Sequence, residues 1–257
     1  MGSSINIEGY LSTVNAPWGK LFYQLLWRNL KCDGKRILDF GSGFGITANH
    51  FAANNEVVAL EPNVEMIKNR FQTNTYQQIV GGIDKLRELP NNSFDVAFCH
   101  NVMEYLENRI ELLQELKRVL KPNGYVSLVK HNKYGKIMQK AVFEYNVESA
   151  LDLLKGNKDI SQNFGTINEY ELSDLSLYCE GLFHIDRIYG IRTFFGLQKN
   201  EFKNDSEWLE KMYELEGAVE SIPEFQNIAF FHHIILAAAA LPDHNASGDI
   251  DNASVQQ

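Results

Sequence analysis

The sequence predicts an α/β fold in which a seven-stranded, mostly parallel sheet carries helices on both faces. Short apolar runs, typical of buried parallel strands, alternate with helical patterns from residue 36 onward. A glycine-rich segment follows the first of these runs, between a strand and a helix. Because parallel neighbouring strands need crossover connections, this alternation favours one open sheet covered by helices.

The elements follow one another in a regular order along the chain. Residues 1–32 contain an apolar and aromatic pattern that predicts a helix covering another part of the protein. The predicted strands are 36–40, 57–60, 76–80, 95–99, 125–129, 184–189 and 228–237. The predicted helices are 46–53, 64–71, 110–120 and 171–179. The third of these helices has an amphipathic stripe and ends at a Pro-Asn-Gly turn signal.

A chain of 257 residues is long enough for one domain with a small elaboration. We expect residues 1–32 to form a cap helix and residues 33–241 to form the main domain. Residues 132–170 predict a helical insertion after the fifth strand, whose polar part is typical of a lid. Residues 242–257 are polar, small and acidic, so we expect a disordered tail.

The net charge of −9 is concentrated in residues 201–225 and 242–257, and the rest of the chain is neutral by formal count. This distribution disfavours a broad phosphate-binding surface. One local basic patch consists of Lys130, Lys133, Lys136 and Lys140. A run of like charges is more often a solvated helix face than a binding site, so the patch alone does not indicate nucleic acid.

No segment approaches the ~20 apolar residues of a membrane-spanning helix, and the N-terminus lacks a secretory pattern. The three cysteines, Cys32, Cys99 and Cys179, are widely spaced, which predicts neither a disulfide framework nor a metal site. We therefore expect a cytoplasmic protein without a membrane partner.

The most informative segment is the glycine-rich turn after the first strand, Asp39 to Gly45. Glycines let backbone amides approach a ligand closely. The dinucleotide fingerprint requires a further glycine where this chain has Ile46, so a nicotinamide or flavin cofactor is disfavoured. The carboxylate of Asp39 suits a ligand with an amino group better than a pyrophosphate.

Several ordered segments resemble the class I S-adenosylmethionine-dependent methyltransferases, which have a Rossmann-like fold. They are Ile37–Gly45, Glu61, Gly82–Asp84, Ser93–Val102 and Leu116–Tyr125. The resemblance implies S-adenosylmethionine as cofactor and S-adenosylhomocysteine as product. It implies that Glu61 accepts hydrogen bonds from the ribose and that Ile83 and Asp84 contact the adenine. The full set implied to bind the cofactor from these segments and the neighbouring helix is Asp39, Gly41, Ser42, Gly43, Glu61, Pro62, Met66, Ile83 and Asp84.

The second half resembles a narrower group, the bacterial tRNA 5-carboxymethoxyuridine carboxyl methyltransferases. The matching residues are Trp27, His100–Tyr105, His131–Gly135 with Met138, Gly190–Phe194, the helix Glu207–Glu216 and the strand that contains His233. This resemblance implies that His100 contacts the cofactor. Two departures disfavour tRNA. Phe22 replaces an arginine of that group, and residues 156–161 replace a lysine-rich stretch.

A carboxylate acceptor needs no general base, because a carboxyl group with a pKa of about 4 is already ionised at neutral pH. It needs a cation to bind it. Arg192 is our candidate because a guanidinium donates two parallel hydrogen bonds to the two oxygens of a carboxylate. A surface ion pair explains Arg192 equally well. His131 and Tyr105 are further candidates for the acceptor pocket.

Three functions remain open. The first is an O-methyltransferase that esterifies a small acid or a peptide C-terminus. The second is the tRNA wobble-uridine carboxyl methyltransferase, and the third is a cofactor-binding scaffold without turnover. The sequence leaves the acceptor and the oligomeric state undecided.

Overall fold

The computed structural model describes residues 7–157, 160–161, 165–166 and 168–239. The predicted tail at 242–257 and part of the predicted lid lie outside these ranges. Two helices precede the sheet where one was predicted, α1 (Ile7–Asn15) and α2 (Pro17–Trp27). Ala16 between them is extended, since a residue before proline avoids the helical region.

The strands form one large sheet and one small hairpin. They are β1 (Arg36–Phe40), β2 (Glu56–Glu61), β3 (Gln77–Val80), β4 (Phe94–His100), β5 (Leu120–His131), β6 (Ile160–Ser161), β7 (Gly165–Thr166), β8 (Phe183–Ile191) and β9 (Phe231–Ala238). The seven-stranded sheet has the order β3-β2-β1-β4-β5-β9-β8. Strands β1 to β5 run parallel, and β9 pairs antiparallel with β5 and β8. The predicted fold class is confirmed.

The remaining helices connect these strands. They are α3 (Ile46–Phe51), α4 (Val64–Lys68), α5 (Ile83–Arg87), α6 (Arg109–Val119), α7 (Lys133–Met138), α8 (Val147–Leu154), α9 (Leu172–Tyr178), α10 (Ser206–Val219) and α11 (Pro223–Gln226). Side chains of Asn63, Asn108, Asn132, Asn146 and Asp205 cap five of them by accepting backbone N–H bonds. The insertion after β5 contains α7, a π-helical turn and α8, followed by the β6–β7 hairpin.

The core lies on both faces of the sheet. One face packs Leu38 and Leu128 with apolar residues of α6 and α9, and the other packs Ile37 with Phe51 of α3 and Val129 with Leu25 of α2. Burial on both faces explains why the central strands are nearly continuous apolar runs. Within the described ranges, no helix is both long enough and apolar enough to cross a membrane.

Candidate functional site

A cavity of about 630 Å³ lies at the carboxyl ends of β1, β2, β4 and β5. Strand order reverses direction between β1 and β4, and open α/β sheets bind ligands at such a point. The cavity has the size of a small-molecule site, roughly 300–1,000 Å³. The sequence-predicted residues that line it are Asp39, Gly41, Ser42, Gly43, Glu61, Pro62, Met66, His100, Tyr105, His131 and Arg192.

The glycine-rich turn forms the floor of the cavity beside β1. Gly41, Gly43 and Gly45 have φ angles of 74°, 55° and 66°, a region that residues with a Cβ rarely adopt. A Cβ on Gly41 would lie 2.4 Å from Cγ2 of Val102, so space as well as conformation requires glycine there. The turn leaves the backbone open to a ligand.

Asp39 is 3% exposed and lies at the end of β1. Its Oδ2 atom is buried and has no hydrogen-bond partner among the described residues. Burial raises the pKa of Asp39 to about 7, while a backbone hydrogen bond from Ala48 lowers it and the charge of Glu61 raises it further. An orphaned carboxylate oxygen at a cavity wall can accept a hydrogen bond from a cationic ligand.

Glu61 ends β2 and orders the turn opposite it. The N–H of Gly43 donates to its Oε2 and the N–H of Asn63 to its Oε1, both at 2.8 Å. Burial raises the pKa of Glu61, and these two hydrogen bonds oppose the rise. The carboxylate is thus held rigidly and retains lone pairs for a ligand, because each oxygen accepts more than one bond.

Two predicted cofactor residues lie elsewhere. Ile83 and Asp84 begin α5 and are not among the residues that line the cavity. Ile83 packs against the core, and the exposed Asp84 accepts the N–H of Gly82 at 2.9 Å. That hydrogen bond lowers the pKa of Asp84, so the acid has a structural role at a helix start.

His100 ends β4 and belongs to a buried polar chain. The Ser127 Oγ lies 2.9 Å from His100 Nε2 and 2.9 Å from His233 Nε2. Burial lowers the pKa of both histidines, so both rings are neutral at pH 7. His100 lines the cavity. His233 and its neighbour His232 are buried and are not among the residues that line it.

His131 ends β5 and is paired with Glu104. Both its backbone N–H and its Nδ1 contact Glu104 Oε1, at 2.7 Å and 3.1 Å. Glu104 is 1% exposed and lies in the one-turn 3₁₀ helix after β4, next to Tyr105. His131 and Tyr105 were predicted from the sequence, but Glu104 was not. An acid four residues after the end of the fourth strand, next to Tyr105, was the signal that could have identified it.

Arg192 follows β8 with a φ of 67°, which is unusual for a residue with a side chain. Its Nη2 donates to Gln139 at 3.1 Å, and its guanidinium carbon lies 4.3 Å from the centre of the Phe230 ring. Its Nε is buried and has no hydrogen-bond partner among the described residues. Desolvation lowers the pKa of Arg192 to about 10, while Glu216 opposes the shift, so the group stays cationic at neutral pH. Arg192 is therefore a cation at the cavity and not part of a surface ion pair.

The turn after Arg192 is held by Glu216 of α10. The carboxylate, 1% exposed, accepts the backbone N–H groups of Thr193, Phe194 and Phe195 at 2.8–3.0 Å. Glu216 was not predicted as a site residue, although the helix 207–216 was among the segments that resemble the carboxyl methyltransferases. A single acid within a charged amphipathic helix carries no local signal of such a role.

Helices α1 and α2 form the outer wall of the cavity. They contribute Tyr10, Thr13, Val14, Trp18, Gly19, Phe22, Tyr23 and Leu26. Phe22 packs on Phe231 with ring centres 5.1 Å apart. The wall is mostly apolar and aromatic, which excludes water from the ligand.

The four lysines of the predicted basic patch do not form one surface. Lys130 and Lys136 are each 3% exposed. Lys130 donates to the carbonyl of His131 at 2.7 Å, Lys136 pairs with Glu169, and Lys140 pairs with Glu144. The patch was predicted as a solvated helix face, and for Lys130 and Lys136 this is wrong because both side chains are buried. In the described part of the chain, no cluster of three His, Cys, Asp or Glu side chains can hold a metal ion.

Residues 38–128, which span β1 to β5, match the family model of a methyltransferase domain. The chain is 35% identical over 106 residues to an uncharacterized methyltransferase of Schizosaccharomyces pombe, covering 35% of this chain and 38% of that protein. It is 30% identical over 100 residues to the sarcosine/dimethylglycine N-methyltransferase of Aphanothece halophytica, covering 35% and 36%. The chain thus spans less than half the length of these curated relatives.

Solved structures extend the likeness beyond the methyltransferase domain to most of the fold. The structure of a SAM-dependent methyltransferase from Archaeoglobus fulgidus covers 89% of this chain and 98% of its own, with a TM-score of 0.58 and 15% identity. At that identity the likeness concerns the fold alone. The family model matched by residues 38–128 describes a methyltransferase domain, so S-adenosylmethionine is the cofactor against which the site is tested.

The residues of the methyltransferase domain suit this cofactor chemically. Asp39 offers an unpartnered carboxylate oxygen to an ammonium group, and Glu61 offers carboxylate lone pairs to hydroxyl groups. Gly41 and Gly43 line the cavity between them without side chains that would block a ligand. The donor set therefore fits a ligand that carries an amino group and a ribose.

Proposed function

We propose that this protein is an S-adenosylmethionine-dependent O-methyltransferase that esterifies the carboxylate of a small acid. The observation that carries the proposal is Arg192, whose guanidinium lies at the cavity with a buried, unpartnered Nε atom. A buried donor without a partner is costly unless a ligand satisfies it. A carboxylate is the acceptor whose charge and planar geometry match a guanidinium.

The cofactor is proposed to occupy the end of the cavity beside β1 and β2. Asp39 holds its amino group, Glu61 its ribose hydroxyls, and the turn of Gly41 and Gly43 lies against it. His100 contacts it from the end of β4. The end of the cavity beside Arg192 then remains for the acceptor.

The bound cofactor supplies a methyl group on a sulfonium. An oxygen nucleophile can attack the methyl carbon in line with the carbon–sulfur bond, and the sulfur then leaves as a thioether. The protein's part is alignment and exclusion of water. Arg192 holds the acceptor carboxylate, and the apolar wall that includes Trp18 and Phe22 keeps the reacting atoms dry. An ionised carboxylate has no proton to lose, so this step needs no base.

The size of the site favours a small acid over a peptide or tRNA. A cavity of about 630 Å³ that also holds the cofactor leaves room for a compact acceptor only. The tRNA alternative needs cationic groups that reach phosphates, and Lys130 and Lys136 are buried and paired. The scaffold alternative requires only cofactor binding, and a single turnover would exclude it.

The test is incubation with methyl-labelled S-adenosylmethionine and separate pools of small carboxylic acids, carboxylate-bearing peptides and bulk tRNA. We expect label on the small acids that is released by mild base, as methyl esters are. Arg192→Gln should raise the KM of the acid about 10-fold to 100-fold, since a hydrogen bond to a charged group contributes about 1.5–3 kcal/mol. Arg187→Gln, at an exposed arginine, is the matched control. The proposal is wrong if no acid acquires base-labile label.

A further inference from the structure

The pair of His131 and Glu104 has no task in the esterification of a carboxylate. Glu104 is almost completely buried, and it receives both the backbone N–H and the ring Nδ1 of the same histidine. Its other oxygen, Oε2, is buried without a partner among the described residues. A buried carboxylate that holds an imidazole at a cavity wall is the arrangement that orients a histidine base.

The hydrogen bonds define which nitrogen of His131 carries the proton. Burial by itself would raise the pKa of Glu104, but the hydrogen bonds and charge of His131 lower it below its ordinary value. An ionised carboxylate only accepts hydrogen bonds, so Nδ1 must donate. In the neutral ring Nε2 then has a free lone pair.

The ring of His131 lies at the cavity and is restrained by its neighbours. His131 lines the same cavity as Tyr105 and Arg192. Its ring packs against Phe231 and Phe230, with ring centres 4.8 Å and 5.7 Å apart, which restrains its rotation. In the described ranges Nε2 has no hydrogen-bond partner, so it is available to a hydroxyl group of a ligand.

We propose that His131, oriented by Glu104, is a general base, and that the site also methylates phenolic hydroxyl groups. The inference rests on the proposed methyl transfer from the cofactor but not on the carboxylate acceptor. As the phenol oxygen forms its bond to the methyl carbon, its proton moves to Nε2 of His131. The carbon–sulfur bond breaks with its electron pair on sulfur. The products are a methyl ether, S-adenosylhomocysteine and an imidazolium that faces Glu104 and later releases its proton to water.

Phenols fit the site better than aliphatic alcohols. Their pKa of about 10 is close enough to that of an imidazole for general-base catalysis to be effective, unlike the much higher pKa of an alkanol. The aromatic side chains of Trp18, Phe22 and Phe231 line the cavity and can pack against an aromatic ring.

The decisive experiment measures methyl transfer to a series of phenols of increasing acidity, at a pH at which the weakest is un-ionised and the strongest is fully ionised. For the un-ionised phenol, His131→Gln should lower kcat about 10²-fold to 10⁴-fold, the usual contribution of a general base. The loss should shrink steadily as the acceptor becomes ionised, because no proton remains to be removed. His184→Gln, at an exposed histidine on β8, is the matched control and should stay within about twofold of the parent.

The acidity series separates chemistry from misfolding, since a misfolded variant loses activity equally with every phenol. An equal loss across the series overturns the role of His131. Glu104→Gln, which removes the charge but keeps the shape, should lower methylation of the un-ionised phenol about 10-fold to 100-fold. That loss should also shrink with acceptor acidity, and a loss that does not shrink overturns the role of Glu104.

A second measurement uses the protein without cofactor. Nitrogen NMR of the neutral His131 ring should show a protonated Nδ1 and an unprotonated Nε2, and the opposite tautomer overturns the inference.

The predictions for the two acceptor classes, acids and phenols, can fail independently of each other. Base-stable label on phenols without labelled acids supports the base and contradicts the proposed esterification. Labelled acids without any labelled phenol contradict the base and leave the proposed function intact.

Discussion

Replacing Asp39 by asparagine should stabilise the protein and weaken cofactor binding at the same time. Asp39 is 3% exposed, and burial raises its pKa from 3.8 to about 7. Because the pKa is higher in the folded state than in the unfolded state, the folded protein retains a proton that the unfolded chain has released. The contribution of Asp39 to stability is therefore complete below about pH 4 and is lost as the pH rises to about 7.

The magnitude follows from the two pKa values. Between about pH 5 and pH 8, ionisation of Asp39 lowers the free energy of unfolding by about 2.5 kcal/mol. Asparagine does not titrate, so the difference in unfolding free energy between Asp39→Asn and the parent should widen by this amount over the same interval. Urea denaturation at both pH values measures it, with the exposed Asp152→Asn as control. A difference that is constant or narrows with rising pH would refute the argument.

Binding should respond in the opposite direction. Only the ionised Asp39 attracts an ammonium group, so S-adenosylhomocysteine should bind about tenfold more weakly for each pH unit below 7 and level off above it. Calorimetric titration across this range tests the prediction. Asp39→Asn should bind weakly at every pH, and a variant with the parent's affinity would show that the amino group of the ligand lies elsewhere.

Two further predictions concern the acceptor side and the glycine turn. Glu216→Gln places an amide N–H against backbone donors of the turn after Arg192, so the free energy of unfolding should fall by about 1–3 kcal/mol. The KM of the acceptor should rise while the Kd of the cofactor stays within about twofold, and equal changes in both would show general damage. Gly41→Ala should destabilise more than Gly34→Ala by about 1–3 kcal/mol. Both glycines have positive φ, but an added Cβ would lie 2.4 Å from Val102 at Gly41 and would meet no atom within 4 Å at Gly34. Equal losses of unfolding free energy in urea denaturation would contradict the steric argument.

The fold and the glycine-rich turn at the cavity were largely predictable because they depend on local patterns. Apolar runs such as 36–40 and 57–60 match β1 and β2 nearly residue for residue, since strands buried on both faces need uniform hydrophobicity. The glycines from Gly41 to Gly45 meet a local conformational demand that is visible in the chain. The adenine contact of Asp84 remains a prediction, because its carboxylate accepts the N–H of Gly82 at the start of α5 and is not among the residues that line the cavity.

The acceptor end depends on contacts between segments far apart in the chain. Glu104 reaches His131 across 27 positions, and Glu216 reaches the Thr193 turn across 23. Lys136 was predicted to lie on a solvated helix face, but in the fold it is buried and pairs with Glu169. Periodicity and glycine spacing therefore determined the sheet, its order of helices and the cofactor turn. Which charges are buried, paired or left open to a ligand was decided only by tertiary packing, because desolvation depends on neighbours that no local pattern contains.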